Sequence, residues 1–165
     1  WGQSSTSKMQ TLLEQLREKE YIAWDSSKSR TYRLLVGSMP LRGVIQAGYV
    51  VEQPTDLFSY IDVSDSHYKI QDYALKVQGD SMSEAHICHG DSVILRPVEQ
   101  ISDLKPGYIT AVWVEEEGGT TLKHVYREKG LIVLRPANSH YESRSYRPEC
   151  VYPQGIVVGL QRSYR

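Results

Sequence analysis

The chain is poor in cysteine and has no long apolar run, and each shortage excludes something. Two cysteines, Cys88 and Cys150, cannot build a disulfide framework. They suit a reducing compartment, with a single bond between them left open. No stretch approaches the ~20 consecutive apolar residues of a spanning helix, so no membrane partner is expected. No charged-then-apolar leader stands at the N-terminus, which reads as cytoplasmic. Trp1 in place of a starting Met suggests an N-terminus that is trimmed or incomplete. Neither sign of charge dominates, with 19 Lys and Arg against 20 Asp and Glu. The 165 residues are 40% hydrophobic and 24% charged. That balance excludes a disordered chain, a collagen-like repeat and a membrane bundle. The length holds one ordinary domain, or a small one beside a smaller one.

The near-zero net charge hides an asymmetry. Residues 1–36 carry six bases and four acids, net +2, and the rest net −3. A +2 segment is weak support for nucleic acid, because many solvated helices carry as much. Met9, Leu12, Leu13 and Leu16 fall on one helical face. Ser5, Thr6 or Ser7 can cap the N-terminus of that helix, which should run to about Lys19. Tyr21–Trp24 and Thr31–Leu35 read as two short strands around a polar, basic turn, Asp25–Arg30. One helix and one hairpin bury little, so residues 1–35 look like the tail of a larger domain. Residues 36–40, Val-Gly-Ser-Met-Pro, read as a linker.

From residue 41 to 165 the pattern is mainly β. Strands are expected at Ala74–Val77, Ser92–Leu95, Ile109–Val114, Thr121–Tyr126, Leu131–Leu134 and Gly155–Leu160, punctuated by Gly or Pro turns. Runs such as Val93-Ile94-Leu95 lack alternation and imply burial on both faces. The pattern suits a small sandwich or barrel-like domain.

Four groups of residues invite a chemical reading. Gly79-Asp80-Ser81-Met82 comes directly after a strand. A serine on such a turn can present its hydroxyl while nearby backbone N–H groups face a developing oxyanion. Alternatively, Asp80-Ser81 merely caps a helix starting near Met82. A nucleophilic serine needs a base. His86 and His89 stand too near Ser81 in sequence to fold back freely. Lys123 and His124 are neighbours on a strand and point to opposite faces, so only one can reach Ser81. An unperturbed lysine, pKa ~10.4, is neutral about once in 2,500 at pH 7. Lys123 could serve only if its surroundings strip it of water, and otherwise it is a solvated strand lysine. His86, Cys88 and His89 are metal-type residues without a second pair, so no metal and no cofactor is expected. Glu115–Glu117 reads as a solvated face whose charge, beside the Gly118-Gly119 hairpin, would repel phosphate.

The order of motifs resembles the LexA family of self-cleaving repressors. Tyr73–Met82 is similar to its serine segment and Ile87–Leu95 to its Gly-Asp strand. Thr120–His124 resembles its lysine strand, Leu134–Tyr141 its Pro-x-Asn turn, and Gly155–Leu160 its C-terminal strand. Pro40–Gly48 looks like the cleavage region. Residues 5–35 resemble a recognition helix and wing, and the wording around Ser81 and Pro136 leans to the cyanobacterial branch.

The resemblance implies a mainly β peptidase and dimerisation domain preceded by part of a winged helix–turn–helix. It makes Ser81 the nucleophile and Lys123 the general base, with the backbone N–H groups of Asp80 and Ser81 as the oxyanion hole. The substrate would be the chain's own Ala47–Gly48 bond, cut when a RecA filament on single-stranded DNA favours docking of the cleavage loop. A homodimer would form through Gly155–Leu160. Operator DNA would be contacted by Ser5, Ser7, Lys8, Gln10 and Thr11 on the helix, and by Lys28 and Arg30 in the wing. Departures matter too. The first two helices of the DNA-binding domain are not in this sequence, so operator binding by this chain should be poor. Gln46 and Tyr49 flank the scissile bond and could slow cleavage, and Glu20 stands where the family has glycine. Two other readings remain: a LexA-like DNA-binding regulator without efficient self-cleavage, and a UmuD-like or signal-peptidase relative. UmuD-like proteins lack the helix and wing, and signal peptidases carry a membrane anchor.

Overall fold

The structure is a computed structural model describing residues 3–19, 21–24, 33–34, 37–46, 49–51, 60–63 and 68–164. It divides into two compact units, Trp1–Met39 with Tyr60–Ser66, and Pro40–Ser59 with His67–Arg165. Among the described residues no helix is long and apolar enough to cross a membrane.

The first unit is built on α1, Gln3–Glu18. Ser5, Thr6 and Ser7 lie inside it, so the capping expected of them is corrected. Each interior Ser or Thr costs less than about 0.7 kcal/mol against Ala, and the Lys, Gln, Leu and Glu that come after them favour helix. Arg17 sits in the last turn, where a cation suits the helix dipole, and its guanidinium lies 4.6 Å from the Trp24 ring centre. The expected apolar face is only half covered. Leu13 and Leu16 are half-buried, whereas Met9 and Leu12 are 59% and 50% exposed. Strands β1 (Ile22–Ala23) and β2 (Arg33–Leu34) pair antiparallel. Lys28 and Arg30 fall between them, outside the described residues.

Ten further strands succeed these: β3 Ser38–Gln46, β4 Tyr49–Val51, β5 Tyr60–Asp62, β6 Tyr73–Gln78, β7 Ser92–Arg96, β8 Tyr108–Val114, β9 Gly119–Glu128, β10 Leu131–Arg135, β11 Arg144–Tyr146 and β12 Val151–Gln161. Residues 38–40 of the expected linker thus begin β3, and the division between the units falls after Met39. In the second unit the strands run in the order β11-β10-β9-β8-β12-β7-β6-β3-β4. Nearly all neighbours are antiparallel, but β3 lies parallel to β6.

Both faces of this sheet are buried, which explains the strands without alternation. Val93, Ile94 and Leu95 are at most 1% exposed. One core gathers Ile45, Leu75, Val77, Met82, Val93, Leu95, Ala111 and Leu122. The other gathers Val112, Val114, Val125, Ile132, Leu134 and Tyr146 on the opposite face. Each fully buried Val, Leu or Ile contributes about 1.5–3 kcal/mol. Ile45, near one end of the strand order, packs with Leu122 near the other, so the sheet curls.

Two ion pairs fasten the edges of this core. The Arg96 guanidinium donates to both oxygens of buried Asp72 at 3.0 and 2.8 Å. Arg162 does the same to buried Asp91 at 2.7 and 2.8 Å.

β12 runs through the middle of the sheet and needs small residues there. A Cβ added at Gly155 would sit 2.9 Å from the Arg96 backbone oxygen. At Gly159 the nearest obstacle is the Tyr68 hydroxyl, the far end of a side chain that can swing. Gly155→Ala is therefore expected to destabilise the chain by about 1–3 kcal/mol, and Gly159→Ala by less. Urea unfolding of the two variants checks the order.

Candidate active site

The serine loop begins where β6 ends. Gly79 has φ +97°, a conformation that L side chains rarely adopt, and it turns the chain sharply out of the strand. A short helical turn, Ser83–Ala85, comes next, with no side-chain cap. Asp80 and Ser81 therefore do not serve as helix caps. Met82 and Ile87, 3% and 4% exposed, pin the loop to the core. Ser81 itself is only 7% exposed. Its hydroxyl faces a cavity, not open solvent as the sequence suggested.

Lys123 comes from β9, opposite Thr110 of β8. Its Nζ donates to Ser81 Oγ at 2.8 Å, to Thr121 Oγ1 at 2.9 Å and to the Leu122 carbonyl at 3.0 Å. Thr121 is two residues back along the strand and so shares its face. His124 points away and its Nδ1 meets the Gly107 carbonyl at 2.8 Å. Burial pushes the Lys123 amine down from 10.5 to about 8. The nearby Glu117 carboxylate opposes that shift and the Arg144 guanidinium assists it.

A cavity of about 340 Å³ opens beside the pair, lined by Ser81, Lys123, Glu117, His140, Tyr141 and Arg144 among others. Glu117 corrects the reading of Glu115–Glu117 as a solvated face. It accepts from the Tyr146 hydroxyl and, at 2.7 Å, from Arg144. Burial, with the Glu117 bond second, pushes the Tyr146 hydroxyl up to about 12. His140 and Tyr141 line the cavity and were not among the residues singled out from sequence. The Tyr141 hydroxyl donates to the Asp80 carboxylate.

The remaining candidates divide. His86 has φ +60° on the turn after the serine loop, and His89 Nδ1 accepts from the Gly79 N–H at 3.4 Å. Cys88 and Cys150 are both free. Among the described residues no three His, Cys, Asp or Glu side chains gather as a metal would require. Ala47 and Gly48 lie outside the described residues, but the strands they join are described. Gln46 pairs with Tyr49 across the β3–β4 hairpin and with Gln78 in β6. Ile45 lines a narrow slot, about 10 Å³, together with Ser81 and Leu122. Ser5, Ser7, Lys8, Gln10 and Thr11 all lie on α1 in the first unit, the last three exposed.

Residues 40–158 match the family described as Peptidase S24-like. The chain belongs to that family. The proteins it is similar to include LexA proteins. It is 39% identical over 126 residues to the LexA repressor of Novosphingobium aromaticivorans, covering 76% of this chain and 52% of that protein. It is 36% identical over 152 residues to the LexA repressor of Thermotoga maritima, covering 89% and 75%. With the transcription regulator LexA of the cyanobacterium Synechocystis it shares 27% identity over 164 residues, 98% and 80%. The chain thus spans about half the length of the first relative and three quarters or more of the others.

The depressed Lys123 amine has a thermodynamic consequence independent of activity. Below about pH 8 the native chain carries a buried ammonium that the unfolded chain solvates freely. Between about 8 and 10.5 the unfolded state binds more protons, so stability rises with pH. Above 10.5 both forms are neutral and the difference vanishes. The full difference across that range is on the order of 3 kcal/mol. Lys123→Met is expected to unfold at higher urea than wild type at pH 7, with the gap closing by pH 10.5. Equal midpoints at both pH values would contradict the shift.

Proposed function

We propose that this chain is a LexA-type repressor that cuts its own Ala47–Gly48 bond, with Ser81 as nucleophile and Lys123 as general base. The observation that carries the reading is the 2.8 Å contact between Lys123 Nζ and Ser81 Oγ, made where burial favours the neutral amine. The register of β3 supports it. Gln46 pairs with Gln78, three residues before Ser81, so β3 ends beside the strand that leads into the serine loop.

The pair dictates the chemistry. Neutral Lys123 takes the Ser81 hydroxyl proton as Oγ attacks the Ala47 carbonyl carbon. The carbonyl electrons move to oxygen, where the N–H groups of Asp80 and Ser81 would receive the charge. When the intermediate collapses, the Gly48 nitrogen leaves with the proton from the Lys123 ammonium. Ala47 then stays as an ester on Ser81. Water, deprotonated by the same amine, hydrolyses that ester and restores the serine. Tethering the substrate removes the entropy of bringing it to the site. The slot beside Ser81 has room for only a small side chain, which suits Ala47.

The regulatory reading completes the proposal. A RecA filament on single-stranded DNA would favour the docked cleavage loop, a population shift rather than a new chemistry. In the first unit α1 would be the recognition helix of a winged helix–turn–helix. Lys8, Gln10 and Thr11 stand exposed on it, and Ser5 and Ser7 are assigned by the same resemblance. Lys28 and Arg30 would reach phosphates from the wing. A homodimer would link two such half-sites, so cutting the chain at Ala47–Gly48, between β3 and β4, would abolish repression without altering a DNA contact. β12 is flanked on both sides, by β8 and β7. Pairing with β8 covers Val151–Ile156 and pairing with β7 covers Ile156–Gln161, so a dimer at Gly155–Leu160 could use the strand edge that β8 leaves as well as exposed side chains such as Leu160.

Intact mass after incubation tests the peptidase. Fragments ending at Ala47 and starting at Gly48 are expected from the wild-type chain and from neither Ser81→Ala nor Lys123→Ala. The rate should rise about tenfold from pH 7 to a plateau above pH 9, as an amine of pKa about 8 loses its proton. A wild-type chain that stays whole even at high pH and with an activated RecA filament points instead to a regulator that keeps the residues and has lost the cut.

A further inference from the structure

The loop after β10 is laced to the serine loop. Ala137 N–H donates to the Ser81 carbonyl at 2.9 Å, and Glu84 N–H donates back to the Ala137 carbonyl at 2.7 Å. Ser139 N–H donates to Glu84 Oε1 at 2.8 Å. Between them Asn138, 7% exposed, sends its Nδ2 to the Asp80 carbonyl at 2.9 Å. That carbonyl also accepts from Ser83 N–H at 3.0 Å. The Asn138 Oδ1 accepts from His140 N–H at 2.9 Å. A flipped amide would set oxygen against oxygen and N–H against N–H, so the orientation is fixed by its partners.

The target of Asn138 matters more than the bond itself. Among the described residues no peptide bond is cis. In a planar trans peptide the C=O and the N–H point in opposite directions. Tying down the Asp80 carbonyl therefore aims the Ser81 N–H the other way. Among the described residues the N–H groups of Asp80 and Ser81 donate to no protein acceptor. Both N–H groups belong to the loop that carries the nucleophile. The next peptide plane is held by the same loop, through the Ala137 bond.

We infer that Asn138 is a positioning residue that fixes the Asp80–Ser81 peptide plane so that the Ser81 N–H meets the oxyanion of the tetrahedral intermediate. The inference rests on the serine-peptidase reading above. Asn138 touches neither substrate nor the Ser81 hydroxyl and acts only through that plane. Losing an entire oxyanion donor costs about 10²–10³ in rate. A donor that remains but swings off line should cost less, about 10- to 100-fold, because hydrogen bonds weaken steeply with angle.

The test uses the full chain as wild type, Asn138→Ala and Asn138→Asp, with Ser81→Ala alongside. Asn138→Asp keeps the acceptor for His140 N–H but sets a carboxylate oxygen against the Asp80 carbonyl, so it removes the donor and makes the contact repulsive. Self-cleavage is followed by intact mass from pH 7 to 10, at a temperature where circular dichroism finds each variant folded. Labelling of Ser81 by a fluorophosphonate is timed in parallel. That reaction also puts developing charge on an oxygen at Ser81 but needs no docked cleavage loop. Expected are cleavage and labelling slowed about 10- to 100-fold in both variants, with the pH midpoint unchanged. Variants that cut within twofold of wild type overturn the inference. So does a slowing confined to cleavage, which would assign Asn138 to loop docking, or a moved pH midpoint, which would assign it to the base. A wild-type chain that does not cut, or a Ser81→Ala chain that does, overturns the peptidase reading itself.

Discussion

An ammonium ion that has lost most of its water is the constraint around which the second unit is arranged. Lys123 gains hydrogen bonds from its nitrogen to a hydroxyl, a second hydroxyl and a carbonyl. None of these is a charge. They keep the amine in place without the full compensation a carboxylate would give, and that difference is what holds its pKa down. The carboxylate that acts on it, Glu117, is turned aside by two donors of its own, Arg144 and Tyr146. Moving Glu117 onto Lys123 would stabilise the ammonium and make the amine a poorer base at neutral pH.

Long-range packing makes this possible. Ser81 and Lys123 are 42 residues apart in sequence, and the strands between them must pair in the right register before the two meet. The apolar wall beside the amine comes from the second core, whose Leu134 and Tyr146 line the same cavity. A reactive group and a stable sheet thus depend on the same buried residues. The ion pairs of Arg96 and Arg162 hold the periphery, where solvent still reaches the cations.

Much of the strand pattern was legible in sequence, because buried β-branched runs between Gly and Pro turns have few other readings. β3 was not, since Pro40 and Gly43 argue against a strand. The structure accommodates them with a register shift between Leu41 and Val44. Motif order drew attention to Ser81 and Lys123, yet the local pattern of each had a blander explanation, a cap and a solvated lysine. Glu117 was misread for a physical reason. Three consecutive glutamates at a turn look solvated until Arg144 and Tyr146 arrive from 27 and 29 residues away. Asn138 belonged to a recognised motif, but no one-dimensional pattern says which carbonyl an amide will find. The helix of the first unit was visible in its periodicity, though half of its apolar face remains uncovered by the described residues.

The parallel pairing of β3 with β6 governs how the two halves of a cut chain would separate. On the proposed reading, hydrolysis turns the β3–β4 hairpin into a nick, with new termini at Ala47 and Gly48. The nick leaves the pairing of β3 with β6 in place. Val44, Ile45 and Gln46 stay in register with Lys76, Val77 and Gln78, and Ile45 stays in the core. The two fragments therefore part only when β3 peels out of the sheet, a dissociation step with its own half-life. Loss of repression would then lag behind loss of the peptide bond.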